Sequence, residues 1–81
     1  MKDIKHELKK EMADTLQEYA IRRNSNAIPI TDETLLHEDC GMDSLDVMET
    51  IMYFENLTGE KVSPSFKAIR TFKDLYTLFQ L

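Results

Sequence analysis

The stretch around Asp43-Ser44-Leu45 holds the side chains of this sequence that are best suited to chemistry. Ser44 follows Gly41 by three positions, lies between Asp43 and Asp46, and stands at the head of a run with helical apolar spacing. A serine in this position could act as a nucleophile, cap a helix, or receive a covalent modification.

Nucleophilic catalysis is poorly supported by these residues. Ser44, His37 and an aspartate could form a triad on paper, but "GMDSL" lacks the G-x-S-x-G pattern of a nucleophile elbow. Neighbouring carboxylates would oppose an oxyanion. Cys40 follows two acids, which disfavour its thiolate, so we interpret it as a small apolar core residue. The sequence therefore predicts no catalytic residue and no enzyme activity.

Metal coordination is not predicted either. His6, His37 and Cys40 are isolated from one another in the sequence. The aspartates near Ser44 lack the central glycine and the closing glutamate of a calcium loop.

Two interpretations of Ser44 remain open on the residues alone. Serine is common at helix N-termini, so capping would explain it without any function. As a modification site, its hydroxyl would lie exposed at the start of a helix. A phosphodiester attached there would face the positive end of the helix dipole and free backbone N–H groups.

Length and composition predict one small domain over residues 1–81. A chain of 81 residues buries only a modest core and has little room for a deep substrate cleft. With 42% hydrophobic and 31% charged residues and only two glycines and two prolines, a folded, helix-rich chain is expected. A carrier, module or adaptor fits these limits better than a self-sufficient enzyme.

The charge pattern favours a basic protein partner and argues against nucleic acid. Residues 32–60 contain nine Asp/Glu and no Lys or Arg, and the net charge is −5. The single cysteine, the charged N-terminus and the lack of a long apolar stretch predict a cytoplasmic protein without membrane attachment. We expect a monomer.

Apolar spacing predicts an all-α fold with three longer helices and one short third helix. The first covers residues 2–23, where one stripe consists of Ile4, Leu8, Met12, Leu16, Tyr19 and Ala20. A connection over 24–43 follows, in which Thr31 or Asp32 could cap a single helical turn. The second helix starts at Asp43 or Ser44 and stops at Thr58-Gly59. Pro64 begins the short helix, which ends near Ala68, and Thr71 caps the last one.

The segment "DSLDVMETIMYFENLTG" resembles the acyl carrier protein family, whose attachment motif is Asp-Ser-Leu at the start of the second helix. Upstream "LLHEDCGMDSL" is similar to the acids and glycine that precede this serine in the family. Downstream, Gly59, Val62 and "TFKDLYTLF" stand where its third and fourth helices belong. The resemblance is strongest over residues 38–59, weak over 1–25, and implies a four-helix bundle.

The resemblance implies a specific function for Ser44. It would carry a covalent 4′-phosphopantetheine arm, transferred from coenzyme A by a phosphopantetheinyl transferase. The thiol of the arm would hold an acyl group as a thioester. The protein would deliver this group to the acyl-loading and acyl-processing enzymes of fatty-acid, polyketide or related specialised biosynthesis.

Partner enzymes with basic docking patches would contact the second helix. Methionine suits a surface that must fit several partners. We expect Val47, Ile51 and Phe54 to face the core, and the orientation of Met52 is left open. The predicted partner-binding residues are Asp43, Leu45, Asp46, Met48, Glu49, Met52 and Glu55.

Departures from the family pattern predict a specialised carrier. The first helix opens with lysines, Thr50 is polar where apolar residues are common, and Cys40 replaces a more usual leucine. A crowded aromatic interior is expected to leave little room for a long acyl chain; its members are Phe54, Phe66, Phe72, Tyr76 and Phe79. The alternatives are an aminoacyl or peptidyl carrier, which would usually have Gly in place of Met42, and an unmodified helical interaction module.

Overall fold

The computed structural model describes residues 4–62 and 68–81 and contains three helices in that part of the chain. They are α1 (Ile4–Asn24), α2 (Ser44–Thr58) and α3 (Phe72–Thr77). No strand occurs within these ranges, although one isolated antiparallel bridge joins Leu35 to Thr71. The predicted all-α class is confirmed there. The predicted short helix from Pro64 falls mainly on 63–67, outside the described residues, and stays a prediction.

Helix α1 contacts the core through a stripe shorter than the sequence pattern suggests. Met12, Leu16 and Ala20, spaced by four, are all buried. The prediction that Ile4 belongs to the buried stripe is wrong, because its side chain is 63% exposed. The contacts from α2 and α3 reach α1 at Glu11 and Lys9, so the first turn lies beyond the packed region.

Both ends of α2 are formed as the sequence predicts. Asp43 is the N-cap, and its carboxylate accepts from the Asp46 N–H (2.8 Å) while Asp46 accepts from the Asp43 N–H (3.0 Å). This reciprocal pair is a capping box that uses aspartate at both positions. Gly59, at φ +75°, closes the helix with its N–H donating to the Glu55 carbonyl at 2.8 Å.

The long connection between α1 and α2 is hydrogen-bonded to the segment at the start of α3. Leu36 donates to the Arg70 carbonyl and Phe72 donates to the Thr34 carbonyl, each at 2.9 Å. The predicted cap at Thr31 or Asp32 forms only a hydrogen-bonded turn that ends at Thr34. The i→i+4 bonds begin later, at Leu35, whose carbonyl accepts from the Asp39 N–H at 3.0 Å.

Gly41 lets the connection pass close to the end of α1. Its φ is +68°, and a Cβ there would lie 2.5 Å from the Arg23 Cβ. Asn24 ties the same two segments together, because its Nδ2 donates to the Asp39 carbonyl at 2.9 Å. No residue with a side chain fits at position 41 without moving α1.

Helix α3 begins with a second capping box and completes the core. Thr71 is the N-cap, and Thr71 and Asp74 bond reciprocally at 3.1 and 3.2 Å. Phe54 is fully buried, and its ring lies 6.2 Å from that of Phe79. Four of the five aromatic residues predicted for the interior are buried, namely Phe54, Phe72, Tyr76 and Phe79. Phe66 lies outside the described residues.

The inward face of α2 agrees with the prediction. Val47, Ile51 and Phe54 are buried, and Thr50 is buried too, with its hydroxyl donating to the Asp46 carbonyl at 2.9 Å. Among the described helices, none combines the length and the apolar composition that crossing a bilayer requires.

Candidate functional site

Ser44 is the first residue of α2, and its side chain is exposed. The helix cap is Asp43, so capping does not account for the serine. Within residues 4–62 and 68–81, the Ser44 hydroxyl has no hydrogen-bond partner. The hydroxyl is therefore free for a reaction at a position that the Asp43 capping box holds in place.

A pocket of about 280 Å³ opens beside Ser44. Its apolar lining consists of Leu36, Met42, Val47 and Ile69, which are all buried. Its polar lining consists of His37, Glu38, Asp43, Ser44 and Arg70, which are all exposed. Sequence reasoning missed Arg70 and Ile69, because they reach this pocket only through the Leu35–Thr71 bridge.

The carboxylate of Asp43 is stabilised in its charged form. The backbone N–H of Asp46 holds the pKa of Asp43 below its ordinary value of 3.8, and the nearby Arg23 guanidinium acts in the same direction. The pKa of Asp74 in the second capping box is lowered in the same way, chiefly by the Arg70 N–H.

These two aspartates predict a loss of stability in acid. A pKa that is lower in the folded than in the unfolded chain stabilises the fold above about pH 3.8. This contribution is lost as pH falls from there through the folded pKa. Urea midpoints measured from about pH 6 to about pH 2 should fall less steeply for Asp43→Asn, since asparagine still caps but does not titrate.

A matched control separates capping from general charge effects. Asp14→Asn removes an exposed carboxylate of α1 that accepts no hydrogen bond from a backbone N–H of the described residues. Equal flattening of the pH profile by Asp14→Asn and Asp43→Asn would contradict a special role for the Asp43 cap.

Asp46 is buried, in contrast to the exposure that its predicted partner-binding role requires. It is 5% exposed, and its Oδ1 pairs with Arg23 Nη2 at 2.9 Å while Oδ2 serves the capping box. Both oxygens are thus engaged within the chain. The helical register explains this, since Asp46 lies one turn before the buried Thr50, on the side of α2 that meets Arg23 of α1.

The outward face of α2 carries an apolar strip. Leu45 is 58% exposed, Met52 is 54% exposed, and Met48 and Glu49 are exposed as well. The orientation of Met52, left open by the sequence, is therefore outward. Glu55 is only half exposed, because its Oε2 accepts from the Val62 N–H at 2.9 Å.

Two further apolar residues of α2 are exposed. Leu57 lies in the last turn of the helix and is 45% exposed. Tyr53 is also exposed, and its hydroxyl donates to the Glu11 carboxylate at 3.0 Å. That bond raises the pKa of Tyr53, because the neighbouring charge opposes phenolate formation.

Cys40 is a fully buried residue of the core, as predicted. Its pKa is raised to about 11, first by burial and then by the charge of Asp39. The sequence predicted that neighbouring acids would disfavour the thiolate, whereas burial is the larger cause of the raised pKa. The thiolate fraction at about pH 8 is then on the order of a thousandth, so Cys40 is a poor nucleophile in the folded chain.

We expect Cys40 to resist alkylation until the protein unfolds. Iodoacetamide at neutral pH should label the unmodified chain slowly in buffer and rapidly in concentrated urea, because unfolding removes both burial and the raised pKa. Intact mass against time measures both rates. Equal rates in the two conditions would contradict the buried position.

A larger groove lies between α1 and α2. Its volume is about 470 Å³, and it is lined by Glu11, Asp14, Thr15, Glu18, Tyr19, Glu49, Thr50 and Tyr53. Among the described residues, this lining contains no histidine, cysteine or serine. In the part of the chain that the structure describes, no group of three or more His, Cys, Asp or Glu is placed to hold a metal ion.

The residues around Ser44 suit a covalently attached phosphodiester. The hydroxyl is exposed and unbonded, and the adjoining pocket offers both an apolar wall and a cation, Arg70. The first turn of a helix also has backbone N–H groups without helical partners, which favour a negative charge nearby.

Comparison with models of protein families gives a match to this chain. The model of a family described as "Phosphopantetheine attachment site" matches residues 6–79, a range that includes Ser44 and its pocket. No curated protein matches the chain significantly.

Proposed function

The chain belongs to the phosphopantetheine attachment family, which includes the acyl carrier proteins, and from this membership we propose that Ser44 is the attachment residue. Domains of this family carry covalent 4′-phosphopantetheine and act as carriers rather than as catalysts. The observation that supports Ser44 is its exposed hydroxyl, unbonded within the described residues, at the first position of α2.

Attachment requires a separate transferase. The Ser44 Oγ forms a bond to the phosphorus that bears the pantetheine of coenzyme A. The pyrophosphate P–O bond breaks, the adenosine bisphosphate leaves with the bonding electrons, and the hydroxyl proton passes to a base of the transferase. The thiol at the end of the arm supplies the thioester chemistry. The role of this chain is to present Ser44 and to dock the partner enzymes.

The cargo that fits best is an acyl group of fatty-acid, polyketide or related specialised biosynthesis. The pocket beside Ser44 has a volume of only about 280 Å³. Behind it, aromatic rings fill the interior; Phe72 and Tyr76, for example, lie 5.0 Å apart edge to face. These features support a short acyl chain rather than a long one, because a long chain would have to displace packed rings.

Partner enzymes would dock on the outward face of α2. Leu45, Met48 and Met52 form an adaptable apolar strip, and Asp43 and Glu49 add exposed carboxylates beside it. A partner with a basic patch around an apolar contact would complement this surface. Asp46 is excluded from it by its ion pair with Arg23.

Incubation with coenzyme A and a broad-specificity transferase tests the proposal. The intact mass should rise by one phosphopantetheine, and the peptide containing Ser44 should carry it. An unchanged mass would favour an unmodified interaction module. Loading with a panel of acyl-coenzyme A and aminoacyl derivatives then separates the acyl carrier from the aminoacyl carrier.

A further inference from the structure

Among the described residues, two on the lining of the pocket beside Ser44 have side chains that can bind an anion. His37 belongs to the connection before α2, and Arg70 precedes α3. They are distant in sequence, but the Leu36 N–H donates to the Arg70 carbonyl at 2.9 Å, which places the two segments side by side. The tertiary structure thus brings both residues to the same pocket as the serine.

Arg70 has an anchored backbone and an unengaged side chain. Its N–H donates to the Asp74 carboxylate at 3.0 Å, and its carbonyl accepts from Leu36. Within residues 4–62 and 68–81, its exposed guanidinium makes no ion pair or hydrogen bond. A guanidinium matches two oxygens of a phosphate group better than any other side chain does.

His37 offers one ring nitrogen to the same space. Its Nδ1 lies 3.0 Å from the Met42 carbonyl oxygen. Since a carbonyl can only accept, Nδ1 carries a hydrogen, and Nε2 can donate to an anion when the ring is in its imidazolium form, in which both nitrogens carry a hydrogen.

The negative charges around Ser44 favour a positively charged side chain nearby. Glu38 and Asp43 are exposed on the same lining, and a phosphodiester on Ser44 adds another negative charge. The Asp43 carboxylate is already engaged by the Asp46 N–H. Among the described residues on this lining, Arg70 is the one whose charge is always positive, so it is the natural counter-ion.

We infer that Arg70, assisted by His37, binds the phosphodiester of the arm and holds the first bonds of the arm against the pocket. This inference rests on the proposed attachment at Ser44. The arm would then leave the protein in a preferred direction, over Leu36 and Val47, rather than swing equally in all directions. Arg70 and His37 would be binding residues for the prosthetic group.

A thermodynamic cycle tests this inference. Urea unfolding is measured for the unmodified and the phosphopantetheinylated protein, each as wild type, Arg70→Gln and Lys73→Gln. Lys73 is an exposed cation three residues further on that does not line the pocket, so it controls for loss of charge. Its N–H donates to the Asp32 carbonyl, a backbone bond that the substitution leaves in place.

Modification should raise the unfolding equilibrium constant of Arg70→Gln more than that of the wild type. At low salt the difference between the two effects should be roughly two- to fivefold. For Lys73→Gln, modification should have the same effect as in the wild type. The Arg70 Nε–H resonance should also move when the wild type is modified, and His37→Gln should reduce that movement.

Two results would overturn the inference. One is that modification changes the free energy of unfolding of Arg70→Gln and Lys73→Gln by equal amounts. The other is an Arg70 Nε–H resonance that does not respond to modification. If the mass gain occurs and either result is found, attachment at Ser44 stands and only the phosphate contact is wrong. If no mass is gained, both proposals fall together.

Discussion

Replacing Ser44 by alanine should abolish phosphopantetheinylation while leaving the fold intact. The side chain is exposed and makes no hydrogen bond within the described residues, and Asp43 remains as the cap. The free energy of unfolding should change by less than about 0.5 kcal/mol, as is usual for surface substitutions. Intact mass after incubation with coenzyme A and a transferase should show no gain.

A second exposed serine gives the control for this prediction. Ser25 follows the end of α1 and has φ +60°, a conformation that glycine adopts readily. Ser25→Gly should therefore fold and be modified as fully as the wild type. If Ser44→Ala still gained the mass, or if Ser25→Gly lost it, attachment would lie elsewhere in the chain.

Phe54→Ala should come close to unfolding the protein. Phe54 is fully buried, and its ring lies 6.2 Å from that of Phe79. Removing a buried aromatic ring costs about 3–5 kcal/mol, since it loses the transfer free energy and leaves a cavity. A domain of this length has a total stability of roughly 4–12 kcal/mol. A urea titration followed by far-ultraviolet circular dichroism measures the loss.

Leu57→Ala controls for truncation on the same helix. Leu57 is 45% exposed, so its replacement should cost about 1 kcal/mol or less. A similar cost for the two variants would mean that Phe54 does not lie at the centre of the core. The same titration on the phosphopantetheinylated protein shows whether the arm changes the free energy of unfolding that Phe54→Ala loses.

Local sequence signals predicted the elements that depend on neighbouring residues. The capping boxes at Asp43 and Thr71 are visible in the sequence because each partner lies three residues further on. The αL glycine after α2 was predicted for the same reason. The burial of Val47, Ile51 and Phe54 followed from helical spacing, which depends only on the geometry of one helix.

Errors arose where exposure depends on what another element covers. Ile4 continues the apolar pattern of α1, yet no segment in the described part of the chain packs over it enough to bury it. Asp46 looks like a surface acid in the sequence, but the end of α1 brings Arg23 to it and buries it. Periodicity identifies a face of a helix and cannot tell how far along that face its neighbours extend.

The sequence by itself determined the all-helical class, the family and the serine at the head of α2, because these depend on residue types at short fixed spacings. The tertiary structure alone decided which acids remain exposed and which side chains share the pocket with Ser44. Those properties depend on Arg23 reaching Asp46 and on Arg70 meeting the connection, contacts that span 23 and more residues. Such contacts follow from the packing of the whole chain.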